Sequence, residues 1–144
     1  MHSFPEASAR LPDWRPRLAS YLGKVARVGF RPGRHDCALF AAGAVEAMTG
    51  LDLAEGWRGK YLTLGSGRAM LRAQGFSDHL ELVAFLFRQV SPAQAQVGDL
   101  AVVASDAPGD PGALGVVQGA GVYVLSPAGL SVVSRLHIEK AFRV

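Results

Sequence analysis

Apolar residues recur at helical spacing in the first half of the chain and gather into short β-branched runs in the second. Residues 1–10 carry no periodicity and are expected to form a loose N-terminal arm. From Leu11 the spacing predicts a packing helix, with Trp14, Leu18, Tyr21 or Leu22, and Val25 on one face and Pro12 and Pro16 tolerable near its first turn. The turn-rich connector Gly29-Phe30-Arg31-Pro32-Gly33-Arg34 follows, and its glycines permit close backbone approach. Next comes a helix framed by Asp36, whose carboxylate can cap backbone N–H groups, and by Gly50, suited to the left-handed residue past a helix end. Cys37, Ala41, Ala44, Val45 and Met48 share one face of it. Side chains that small let a helix lie close against a sheet or another helix, so this is the expected central, buried helix.

Residues 51–61 keep neither period and are expected to be a structured loop. Ser66 is the expected cap of a short helix through Gln74, closed by Gly75. Asp78 with Glu81 has the spacing of a capping box and opens another helix, with His79 in its first turn, exposed and solvated. Beyond Phe87 the runs 101–104, 114–117, 121–125 and 130–134 predict strands in an antiparallel meander, with a turn at Ser126-Pro127-Ala128-Gly129 and a last strand within 135–144. Helices followed by strands make residues 11–144 a single α+β domain, its N-terminal helices and Cys-bearing helix packed on a C-terminal antiparallel sheet.

At 144 residues the chain can bury a core without staples, and 49% hydrophobic against 19% charged residues excludes wholesale disorder. No apolar run approaches the ~18 residues of a membrane span, and the first residues lack the order of a secretion signal. The net charge of +3 raises the question of nucleic acid, but the arginines are scattered and interleave with no aromatic cluster, so none is expected as a partner. One cysteine and four scattered histidines give no metal-ligand spacing, and no cofactor is expected.

The chemistry centres on Cys37, the only cysteine. It admits two readings: a small buried hydrophobe, or a nucleophile whose thiolate is favoured by the helix N-terminus. A nucleophile also needs a base. Asp36 is expected to cap the helix and Asp99 to bond the turn before a strand, both structural roles.

Asp36-Cys37 heading a helix, followed by Gly98-Asp99-Leu100 entering a strand and then by Leu114-Gly115-Val116-Val117, resembles the NlpC-type cell-wall peptidases of the papain-like superfamily. The fuller pattern adds Thr49-Gly50, Trp57-Arg58-Gly59-Lys60-Tyr61 and Phe142, and looks like a small uncharacterised family of tailed phages and prophages. The resemblance implies a papain-like fold, a nucleophile at Cys37 and a place in the virion tail or tail tip, with other tail proteins as partners. Docking would use an exposed apolar patch or the N-terminal arm. In the peptidases the next strand opens with the histidine base; here Ala113 stands there. The substitutes are His35, His137 on the expected last strand, and His79. Two functions follow: a tail component with a degenerate peptidase site, or an active cysteine peptidase or amidase cutting peptidoglycan stem peptides during entry. A cytoplasmic adaptor is the third possibility.

Overall fold

The computed structural model describes residues 9–144. Helices α1 (Trp14–Val25), α2 (Cys37–Thr49), α3 (Leu64–Ala73) and α4 (His79–Leu86) precede every strand of the sheet. The strands are β1 (Arg88–Val90), β2 (Leu100–Val103), β3 (Ala113–Gln118), β4 (Gly121–Ser126), β5 (Gly129–Ser134) and β6 (Lys140–Arg143). They form one sheet of order β1-β6-β2-β3-β4-β5, antiparallel throughout. The α+β class and the four-strand meander β2 to β5 follow the sequence pattern.

The helical layer rests on one face of the sheet because the strands alternate with period two. Leu100, Val102, Leu114, Val116 and Phe142 point to the helices and join Phe40, Ala44, Val45 and Met48 of α2 in the main core. On the opposite face Ala101, Val117, Val122, Ile138 and Ala141 form a thinner cluster. β2 is therefore buried on both sides along its whole length. The small residues of α2 work as expected: a β-carbon on Gly43 would overlap the Tyr21 ring, so α1 can approach closely. Tyr21 stacks on Phe40 and donates its hydroxyl to the Phe40 carbonyl at 2.8 Å.

Several boundaries differ from the sequence reading. α1 begins at Trp14 rather than Leu11, because the Leu11 N–H is given to the Met48 carbonyl at 2.7 Å, tying the segment to the end of α2. Thr63, not Ser66, caps α3; Ser66 is the third helical residue, and its hydroxyl answers the Thr63 N–H in a reciprocal box. Asp78 caps α4 as expected, but Glu81 pairs with the Ser77 hydroxyl instead of closing a box.

The last strand is shorter than 135–144. Residues Arg135–His137 make a 3-10 turn, and the strand starts at Lys140. The reason is topological: β6 inserts between β1 and β2, so the chain must cross the helix-free face from the β5 edge, and Ile138 buries itself on that face as it passes. Of the expected arm, residues 1–8 lie outside the described residues. Arg10 is anchored: its guanidinium donates to Asp99 at 3.0 Å and to the carbonyls of Val97 and Val144.

Candidate functional site

Cys37 stands where the helical layer meets the entry of β3. Asp36 places it there. The Asp36 carboxylate accepts from the Leu39 N–H and the Gly33 N–H, each at 3.0 Å, and from the Tyr61 hydroxyl. Gly33 has φ +77°, and a β-carbon there would overlap the Tyr61 carbonyl oxygen, so the connector and the 51–61 loop can close on the cap only with glycine. Asp36 is buried and has no cationic partner among its contacts. Its expected structural part is the one the geometry gives it.

The head of α2 opens into a cavity of about 500 Å³. Apolar side chains of α2, α3, α4 and the 51–61 loop make most of its wall; Cys37, Tyr61, His79 and Asp110 bring polar atoms to it. Cys37 keeps part of its surface open to this space, yet its sulfur is enclosed deeply enough that burial pushes the thiol up to about 12. The Leu114 and Ala38 backbone N–H groups favour thiolate, while the charges of Asp36 and Asp110 oppose it. Desolvation and two nearby carboxylates thus work against the thiolate that the helix N-terminus favours. Burial, and the hydrogen bond given to Asp36, likewise raise the Tyr61 pKa well above the ordinary tyrosine value.

The histidines divide sharply. His137 is exposed, lies in the 3-10 turn rather than in a strand, and does not line the cavity. His35 also stays off the cavity wall; it packs edge-on against Phe40 at 6.0 Å, and burial lowers its pKa. His79, expected to be solvated, is half-buried on the cavity wall, with Nε2 2.9 Å from the Gly112 carbonyl oxygen. Gly112 immediately precedes Ala113, the first residue of β3. The loop that delivers it is pinned by Asp110, which accepts from the Gly112 N–H at 3.1 Å and from the Ser105 hydroxyl at 3.0 Å.

A helix headed by Asp-Cys, a Gly-Asp turn into a doubly buried strand and a cavity between them are the common frame of residues 36–117. The chain belongs to the DUF6950 family. That model, of a domain of unknown function, matches residues 9–144. No curated protein matches the chain. The matched range begins just before Arg10, so the DUF6950 domain takes in the Arg10–Asp99 bond as well as the cavity.

Asp99, the other aspartate of the sequence reading, lies apart from the cavity. It is fully buried and accepts from Arg10 at 3.0 Å, Arg143 at 2.9 Å, and the Gln96 and Val144 N–H groups. The expected turn bond is present, and three further donors surround it. Sequence reasoning missed the contribution of Tyr61 and Asp110 to the cavity and misplaced His79. The cap Asp78 signals only where α4 starts; that its first residue meets Gly112, 33 positions on, has no local signal. Among the described residues no group of three or more His, Cys, Asp or Glu could hold a metal ion, and no helix is long and apolar enough to cross a membrane.

Proposed function

We propose that this DUF6950 chain is a tail or tail-tip component of a phage or phage-like particle, built on a papain-like, NlpC-type fold whose peptidase site has lost the family's base. One observation carries the reading: the strand that passes Cys37 at Leu114 opens with Ala113, which can accept no proton. A thiol pushed up to about 12 and lacking that base is a poor resting nucleophile. Phe30 and Leu64 line the cavity and remain open to solvent, which suits contact with another tail protein.

Purified particles, probed by mass spectrometry for this chain, test the assignment. Recovery of the chain with tail proteins, together with no release of peptidoglycan fragments by the isolated protein, is the expected result. A chain found only in host cytoplasm would sink it and favour an adaptor.

The second reading is an active cysteine peptidase or amidase acting on stem peptides during entry. It is favoured by a specific observation, the presence of His79 on the same cavity wall as Cys37. In that case the isolated protein releases peptide fragments from peptidoglycan, and Cys37→Ser abolishes the release without unfolding the chain.

A further inference from the structure

We propose that His79 is the proton acceptor for Cys37, reaching the strand entry from the start of α4 in place of a histidine at position 113. The inference rests on the hydrolytic reading and assigns the residue that reading lacks.

Three observations converge. Both side chains line one cavity of about 500 Å³. Both meet the same short stretch of backbone: the His79 imidazole lies 2.9 Å from the Gly112 carbonyl oxygen, and the Cys37 sulfur lies near enough to the Leu114 N–H for that group to favour thiolate. Two residues of extended chain cover roughly 6–7 Å, so the imidazole and the thiol meet neighbouring points of one strand entry. Finally, the bond to Gly112 fixes the tautomer. A carbonyl oxygen only accepts, so Nε2 carries the hydrogen and Nδ1 presents a lone pair. An oriented imidazole with one nitrogen bare is the form a general base needs, and such sites are often looser without substrate than with it.

The charges around the pair favour transfer in one direction. Asp36 and Asp110 face the thiol and oppose a lone thiolate, but an imidazolium beside it answers both carboxylates. Tyr61 gives its hydroxyl to Asp36, Arg68 also lines the cavity, and on α4 the neighbouring Asp78 and Glu81 are engaged with the Glu81 N–H and the Ser77 hydroxyl.

The Cys37 proton passes to His79 Nδ1, directly or through one water, giving thiolate and imidazolium. The thiolate attacks an amide carbonyl carbon and the carbonyl π pair moves to oxygen. On collapse the C–N bond breaks, and the amine leaves with the proton from His79. Water then attacks the thioester, giving its proton through His79 to the departing sulfur.

Iodoacetamide alkylation of the native full chain from pH 5 to 9 tests the pair. Wild type should react measurably at neutral pH, and His79→Gln, which keeps an N–H donor for Gly112, should be slower there by at least about tenfold. His79→Asn should behave alike, while His137→Gln should match wild type. Equal rates for wild type and both His79 variants, or a native thiol inert across the range, overturns the assignment. Peptidoglycan release is scored separately: His79-dependent alkylation without release upholds the pair and overturns the hydrolytic reading.

Discussion

Two aspartates are buried in this small domain, and they are held in opposite ways. Asp99 is compensated by charge: two guanidiniums and two backbone N–H groups surround it, and through them the Arg10 segment, the Gly98 turn and the end of β6 become one unit. Asp36 is compensated by neutral donors alone, the N–H groups of Gly33 and Leu39 and the hydroxyl of Tyr61. The difference follows from location. Asp99 joins segments distant in sequence and so profits from long, reaching side chains. Asp36 serves a helix start, where backbone N–H groups already converge and carry the positive end of the helix dipole. The lesson for the site is that Asp36 leaves its charge unneutralised beside Cys37, whereas Asp99 spends its charge on architecture.

The largest effect should come from Asp99→Ala, which strands two partly buried cations. Urea denaturation should show a loss of about 3–5 kcal/mol, nearer the lower figure because Arg143 keeps 28% of its side chain exposed. Asp99→Asn should recover little of it, since a neutral amide leaves both guanidiniums unpaired.

Asp36→Ala should cost about 2–4 kcal/mol by removing the cap and orphaning the Gly33 and Tyr61 donors. Here Asn should recover much of the loss, because neutral donors need an acceptor rather than a charge. It should also lower the Cys37 pKa, seen as faster alkylation at pH 8. If Asn rescues position 99 and not position 36, the contrast drawn above is wrong.

A smaller effect belongs to Cys37 itself. The unfolded thiol ionises near 9.0 and the folded one at about 12, so the unfolded state sheds its proton first. Its contribution is full below pH 9 and declines toward 12, by at most about 1.4 kcal/mol per pH unit. Tyr21 and Tyr61, also raised, add their own alkaline slopes, so wild type should be compared with Cys37→Ala, whose stability should fall less between pH 9 and 10.5. Parallel curves would mean that the thiol titrates freely.

The smallest lies at His35, whose pKa burial lowers. Below about 6.5 the unfolded chain takes a proton that the folded chain resists, so stability present above that pH is lost on acidification. Thermal midpoints at pH 7.5 and 5.5 should converge in His35→Phe relative to wild type.

Much of the frame was legible. Asp36 and Gly50 bracketed α2 because capping is local chemistry, and the apolar β-rich runs 101–104 and 114–117 marked strands of the meander. The failures are of another kind. Ser66 and Thr63 are both competent caps three residues apart, and composition does not say which one is extended. His137 was placed on a strand because its neighbours alternate, but the crossover to the centre of the sheet demanded a turn there.

By itself the sequence determined what depends on near neighbours: the caps of α2 and α4, the helical period, the meander and the absence of a histidine at position 113. Only the tertiary structure decided what depends on enclosure and long-range juxtaposition. It buried the Cys37 thiol, whose pKa reflects the atoms around it, and set Asp99 between the two ends of the domain. It also carried His79 to Gly112, 33 residues along the chain. Local pattern fixes directions along the backbone; the electrostatic state of a group is set by all that packs against it, which no window of sequence contains.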